Sequence, residues 1–447
     1  MHAKPQRSKR KTVIGYARVA ALACALACTP GVGRAADPPA TPIPFRNAIE
    51  LALQHSGVMG IAAINQWRAH QAYLEVRANY IPQLTVGSAL GYSYGFPLTL
   101  EGSAPSVVNF NSTQSLFNVA LQKYLQAARM DWHATSLEVQ DKRDTVILDT
   151  ALSYDHLAQL TAKIAALTQA QSAAEKAQFV SEQRMKEGVD SKLDVTKSQL
   201  LVARIRLRIA EAEGQSDVLR QHLASLLGVP ADSIAVDPAS IPTMPIISQD
   251  EDLPSRAVTN SLAVKQAHEK TASAELRAEG EHKATILPTI DLASQYAYLA
   301  KYNNYDSYFL NYTANNLAAG LNIKFPLFNA GQKARAQEAK ADALIAGKQE
   351  ELSKQKVRED ALQLQRSLRQ LAAARDVARL EWEVSQGDLE AVKGRTQTGA
   401  ANVRDEQNAE LDSDDRHAAY LDAEFELSRA QLQLLRLTGE LENWAIK

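Results

Sequence analysis

From Asn118 to Glu187 the chain runs for 70 residues without one glycine or proline. Glycine and proline are the residues that end or kink helices, so a run that avoids both over this length reads as one helix. At ~1.5 Å per residue it extends on the order of 100 Å. An ordinary globular helix has about 11 residues, so a compact single-core domain cannot accommodate this one. Sparse aromatics, 6% of residues, point the same way, towards long helices that pack on small side chains.

The chain then repeats itself. Phe117 in Ser115-Leu116-Phe117 corresponds to Phe328 in Pro326-Leu327-Phe328, 211 residues later. Gly188 corresponds to Gly399, and Leu227-Gly228 to Thr438-Gly439, at the same offset of 211. Three landmarks at one spacing define two copies of one unit. Tyr80-Ile81-Pro82 matches Ile286-Leu287-Pro288 at 206, which places about five extra residues in the second copy. Each copy is expected to hold a helix (Phe45 to Asn79; Ser255 to Ala284), two strands, the very long helix (in the second copy Ala330 to Lys393), a turn at the glycine, and a returning helix. The expected organisation is residues 1–35 as an export signal, 36–228 as the first repeat, 229–254 as a linker and 255–447 as the second repeat. Pro230, Pro238, Pro242, Pro245 and Pro254 argue for extended chain in the linker.

Apolar positions in the long helices alternate in threes and fours. The series is Val357, Ala361, Leu364, Leu368 and Leu371 before the second turn. It is Leu193, Thr196, Leu200, Ala203, Leu207 and Ala210 after the first, and Leu411, Ala418, Leu421, Phe425, Leu432 and Leu435 after the second. This spacing marks coiled-coil seams. Helices of this kind alone would also suit a fibrous scaffold.

The strands are what a scaffold does not need. From Leu84 to Phe96, Leu84, Val86, Leu90, Tyr92, Tyr94 and Phe96 share one face, and Thr85, Gly87, Ala89, Gly91 and Gly95 share the other. The second copy sets Ile290, Leu292, Tyr296 and Tyr298 against Asp291, Ala293, Gln295 and Ala297. A further segment sets Leu317, Leu321, Ile323 and Phe325 against Asn316, Gly320, Asn322 and Lys324. Val108 to Leu116 is a weaker fourth strand, with Val108, Phe110 and Leu116 on its apolar side. Aliphatics ending in aromatics, opposite small and polar residues over about ten positions, suit a transmembrane barrel strand with its aromatics at headgroup level. A soluble amphipathic sheet packed on helices carries the same alternation. Four strands cannot enclose a lumen, because about eight is the minimum. An open sheet cannot sit in lipid with unpaired edges. The membrane reading therefore requires several copies of the chain.

The N-terminus supports export. Lys4, Arg7, Lys9, Arg10 and Lys11 precede an apolar stretch from Val13 to Ala27, and Gly33-Arg34-Ala35 offers a cleavage site. Both cysteines, Cys24 and Cys28, lie within this segment, and Ala25-Leu26-Ala27-Cys28 faintly resembles a lipidation box. Removing residues 1–35 takes away seven of the 49 Lys/Arg and no acid. What remains is 42 basic against 51 acidic residues, a net of −9 that argues against a nucleic-acid partner. No catalytic, cofactor or metal site is expected. The nine histidines are scattered, and no nucleophile elbow or phosphate loop occurs. Asp412, Asp414 and Asp415 read as a solvated helix face, and Trp67, Trp132, Trp382 and Trp444 as helix-packing residues.

From about Phe45 onward the chain resembles the outer membrane efflux protein family, the TolC-like channels. The resemblance rests on the duplication, on Tyr80-Ile81-Pro82-Gln83-Leu84 leading into a strand, and on Phe325-Pro326-Leu327-Phe328-Asn329-Ala330-Gly331 leading into the long helix. The family usually has two glycines where Ala330-Gly331 stands. The resemblance implies a mainly α fold with membrane β: a long antiparallel α-helical coiled-coil barrel plus four strands per chain in a trimeric 12-stranded barrel. It also implies an outer-membrane location with a periplasmic extension, docking to a periplasmic adaptor and an inner-membrane pump, and a passive conduit role without catalysis. The alternative is a periplasmic coiled-coil scaffold or adaptor. Helix-turn tips fall at Gly188 and Gly399, and strand–helix boundaries at Pro82, Pro288 and Pro326. The family places acids near its constriction, which here selects Asp194 and Asp405, six residues beyond each glycine, with Arg404 as a pairing partner. Three carboxylates around an axis would favour cations. The same two acids equally suit first-turn helix positions. In the family a cation sometimes sits nearer the glycine, where this chain has Ala401.

Overall fold

The computed structural model describes residues 42–90, 105–245, 252–300, 313–401 and 403–446. The proposed signal, both cysteines, and Tyr92, Tyr94 and Phe96 lie outside them. The first helical stretch is broken in two, α1 (Phe45–His55) and α2 (Gly57–Ala78), as is its second-copy counterpart, α5 (Leu253–Asn260) and α6 (Leu262–Ala284). The expectation of one continuous helix in each place is therefore corrected. Ser56 and Ser261 leave the helical region, with ψ 125° and 123°, and each side chain caps the helix that follows. Serine competes with the helical backbone for hydrogen bonds, and here that competition wins twice at the same point. Pro254 also departs from expectation. It lies in the first turn of α5, where its missing N–H costs nothing.

Two helices of 68 residues follow the strand pairs: α3 (Val119–Lys186) and α7 (Ala330–Gln397). Their starts are identical in design. Asn118 and Asn329 accept from the backbone N–H of Leu121 and Gln332, at 2.9 and 3.0 Å. Their ends are identical too. Gly188 (φ 77°) and Gly399 (φ 76°) take the left-handed conformation that glycine alone adopts freely. Beyond each, the N–H groups of Val189 and Ala400 return to the carbonyls of Arg184 and Arg395, a Schellman closure. Returning helices α4 (Lys192–Leu227) and α8 (Val403–Thr438), 36 residues each, complete two equal hairpins, and α9 (Leu441–Ile446) ends the chain.

Helix α4 packs on α3 and α8 on α7, while α2 and α6 cover the first half of α3 and α6 also meets α7. Around the middle of α3, the helix touches α8 and joins the two hairpins. The packing of α6 on α3 is close. A Cβ on Gly280 would stand 2.7 Å from the Tyr124 ring. The main core lies midway along α3, where Phe45, Ile49, Ile147, Tyr154, Leu157, Leu223, Leu227, Leu432, Leu435 and Leu441 bury one another. The linker wraps this core through two single 3₁₀ turns and a parallel bridge between Ile43 and Val236. Tyr154 fastens it. Its hydroxyl donates to Ile43 O and accepts from Asp237 N–H, both at 2.7 Å.

One seam faces the other way from the simplest expectation. On α4 the residues packed towards α3 include Val195, Leu201, Val202 and Ile205. Leu193, Leu200 and Leu207 are on the opposite side, 61%, 49% and 59% exposed.

Strands β1 (Gln83–Ala89), β2 (Ser106–Phe117), β3 (Thr289–Leu299) and β4 (Asn315–Lys324) form one antiparallel sheet in that order. The weakest strand of the sequence pattern, β2, is the longest in the sheet at 12 residues. Leu116 stands at a register irregularity, so Phe117 rather than Leu116 pairs with Ile290.

Candidate functional site

Register turns the alternation of single strands into two-dimensional faces. Val86, Phe110, Tyr296 and Leu317 lie side by side across all four strands. Gln114, Leu292 and Leu321 form a parallel row, and Ile290 aligns with Phe117 and Ile323. The reverse face carries Thr85, Asn111 and Gln295 in one row, Gly87, Asn109, Ala297 and Asn316 in another, and Ser115, Asp291 and Asn322 in a third. Asp291 and Lys324 approach to 3.7 Å on that polar face. No layer among the described residues covers the apolar row: Val86 is 62% and Leu317 77% exposed. A soluble sheet packed on helices would bury them. Tyr296 and Tyr298 are exposed on β3 as expected. Pro82 and Pro288 immediately precede β1 and β3, and Pro326 lies between β4 and α7. No helix among the described residues is long and apolar enough to cross a membrane.

At the turns the sequence-selected residues divide. Asp194 is the third residue of α4 and forms a capping box. It accepts from the Ser191 hydroxyl at 2.6 Å and backbone N–H at 3.1 Å, while Ser191 Oγ accepts from Asp194 N–H. The Ser191 bonds, with the nearby charges of Lys197 and Arg404, hold its carboxyl below the usual carboxylate range. The structure thus brings Arg404 towards Asp194. Asp405 is in the first turn of α8, where the dipole favours an acid.

Sequence reasoning missed Asp190. Its carboxylate accepts from Arg184 Nε and Ser181 Oγ, both at 3.1 Å, and clamps the first turn. The available signal was an acid two residues past a turn glycine, a position from which it can reach back to the helix end. It also missed the polar joint between hairpins, where α3 meets α8. Arg436 donates to Asp141 (3.1 Å) and Thr145 (2.9 Å), and Ser428 donates to Asp155 (3.1 Å). Asp144 is buried beside them, and no hydrogen-bond donor meets its carboxylate among the described residues. Burial first, and then the Glu442 charge, push it up to about 6.

Asp412, Asp414 and Asp415 are not a uniformly solvated face. Asp412 pairs with Arg416 at 3.7 Å, Asp415 pairs with Arg208 of α4, and burial with neighbouring acids pushes Asp414 up to about 6. Three of the tryptophans pack as expected. Trp132 stacks near His70 and Tyr73, Trp382 on His417 and Tyr420, and Trp444 meets Phe45 edge-on. Trp67 does not; it is 64% exposed on α2.

A free-edged amphipathic sheet with its apolar face uncovered, mounted on antiparallel helices on the order of 100 Å long, defines the subunit of an outer-membrane channel. The family model "Outer membrane efflux protein" matches residues 48–229. Protein CyaE of Bordetella pertussis is 29% identical over 361 residues, covering 73% of this chain and 69% of that one. Solved structures share the fold. A CusC structure described in terms of transmembrane channel formation aligns with TM-score 0.74 at 17% identity, covering 91% of this chain and 95% of that one. The outer membrane protein VceC of Vibrio cholerae aligns at 0.72 and 18%, covering 88% and 96%. The MtrE outer membrane channel of Neisseria gonorrhoeae, in its open state, aligns at 0.71 and 19%, covering 89% and 90%. Residues 48–229 thus resemble the outer membrane efflux protein family, and the chain is an outer-membrane exit channel for efflux or secretion with a periplasmic extension.

Proposed function

We propose that three copies close head to tail into one passive conduit. Their sheets form a 12-stranded barrel in lipid and their helices a continuous periplasmic tube. The observation that carries this is the four-stranded sheet with an uncovered apolar face and two free edges, β1 and β4. In lipid those edges must pair, and the strands of another copy match them in length and facing. Residues 1–35 act as the export signal, and 36–228 and 255–447 as the repeats that give each copy two hairpins, joined by 229–254. The chain performs no catalysis. A periplasmic adaptor and an inner-membrane pump deliver the cargo and supply the energy.

The turns at Gly188 and Gly399 form the periplasmic tips, and Asp194, Asp405 and Arg404 the gate. The approach of Arg404 to Asp194 supports that assignment, since both lie within a turn of the tip. Tyr92, Tyr94, Phe96, Tyr296 and Tyr298 belong to the interfacial belt of the barrel.

Membrane fractionation with heat-modifiable electrophoresis tests the proposal. Trimers in the outer-membrane fraction, dissociating on boiling, are expected. A monomer that stays in aqueous buffer without detergent would favour the periplasmic scaffold instead.

A further inference from the structure

Two helix breaks meet at one height beside the α3–α8 joint. There α5 gives way to α6 at Ser261 and α8 stops before Gly439, and Asn260 Nδ2 donates to Thr438 O at 3.1 Å across the breaks. Helix ends that meet fill less space than a continuous helix, and a cavity of about 800 Å³ is left between α3, α7 and α8. That is the size of a site for a small organic molecule. Leu148 of α3, Val357, Leu364 and Leu371 of α7, and Leu437 of α8 give it an apolar lining.

Charge in the lining does not balance, with four acids against three bases. Arg436 is matched to Asp141 at 3.1 Å and Arg429 to Glu426 at 3.4 Å, and Lys356 is offset by Asp360 one turn away on α7. Asp144 is the acid left over. Arg143, its neighbour in sequence, is taken by Glu442 at 2.8 Å. Asp144 is only 9% exposed, it lines the cavity, and no hydrogen-bond donor meets its carboxylate among the described residues.

A buried carboxylate without a donor is costly, and the leucines beside it offer no remedy. A guest that brings both a donor and one positive charge removes the cost. A metal ion does not suit the site. A hard cation takes about six or more oxygen ligands, and no group of three or more His, Cys, Asp or Glu that could hold a metal occurs among the described residues. An anion would be repelled.

We propose that this cavity binds an organic monocation: an ammonium carried on an apolar body, with the ammonium donating to Asp144 and the body lying against Leu148, Val357 and Leu364. The site is lined by a single chain and goes beyond the conduit role. Its walls come from α3 of the first hairpin and from α7 and α8 of the second, so an occupied cavity ties the two hairpins together beside the Arg436–Asp141 bond.

Equilibrium dialysis of the full chain in detergent, against a protein-free micelle blank, tests it with two fluorescent probes of one shape: 1-naphthylmethylammonium and the neutral 1-naphthalenemethanol. The cation should bind once per chain and about tenfold tighter than the alcohol, the worth of one charge-assisted hydrogen bond. Asp144→Asn should remove that preference and leave the alcohol's affinity unchanged. Leu364→Trp, which fills the apolar lining, should weaken both probes. Equal affinity of the parent for the two probes overturns the site. So does a preference that survives Asp144→Asn, or unchanged binding in a Leu364→Trp chain that still melts cooperatively. Absence of saturable binding by either probe overturns it as well, and assigns the cavity to water or to another copy of the chain. None of these results touches the conduit, which is read separately from trimers in the outer-membrane fraction.

Discussion

Replacing Asp144 with asparagine should stabilise the protein at neutral pH and do almost nothing below the ordinary aspartate value of 3.8. The carboxyl is buried where α3 meets the end of α8, lacks a hydrogen-bond donor among the described residues, and is pushed up to about 6. Burial is the first cause; Glu442 and Asp141 add repulsion, while Arg436 and Arg143 oppose it. Lys356, Asp360, Glu426 and Arg429 line the adjoining groove. In the unfolded chain the same group ionises near the ordinary aspartate value of 3.8. Between those two values the folded protein holds the extra proton, so stability falls as pH rises through the window, and the loss is complete above about 6. At about 1.4 kcal/mol per pH unit the full displacement is about 3 kcal/mol. Water at the groove and the two guanidiniums screen part of it, leaving about 1–2 kcal/mol. Asparagine keeps the shape and removes the charge. Thermal melting in detergent at pH 7.5 and pH 3.5, at one scan rate, should show Asp144→Asn above the parent at the higher pH and nearly level with it at the lower, with a gap of about half size at pH 5. A variant that melts below the parent at pH 7.5, or a gap that does not close on acidification, refutes the reasoning.

Gly280→Ala adds a methyl 2.7 Å from the Tyr124 ring. Overpacking of about 1–3 kcal/mol should outweigh the ~1 kcal/mol gained in helix propensity, and in a Tyr124→Ala background the same change should turn neutral or stabilising. Melting of the parent, the two single variants and the double variant checks it. Tyr154→Phe removes the hydroxyl that joins Ile43 O and Asp237 N–H; a loss of about 1–2 kcal/mol is expected by the same assay, with no loss of trimer. Asp405→Ala in planar bilayers should weaken selectivity for cations if the proposed ring of carboxylates is real, and unchanged reversal potentials count against it.

Local rules carried well where they acted alone. Two equal hairpins were legible because glycine and proline are absent from long runs and because the turn glycines share one offset. The breaks at Ser56 and Ser261 were not, since apolar periodicity continues through them and only the serine side chain reveals the stop. Periodicity also found the Leu193–Leu200–Leu207 stripe without saying which neighbour it serves, because a heptad defines a face and not a partner. Residues such as Asp144, Asp155 and Asp190 lay beyond reach for another reason. Their environments are made by segments tens to hundreds of positions away, or by the reversal of the chain at a turn.

The clamp of Arg184 and Ser181 on Asp190 has no equivalent in the second hairpin, where Ala401 occupies the matching place. Stiff and compliant tips would therefore alternate around the mouth of the assembled tube. In the trimer proposed above, displacing only the Gly399 tips would leave every Arg184–Asp190 bond intact, so an iris with three moving blades and three fixed ones would open more cheaply than one in which all six move.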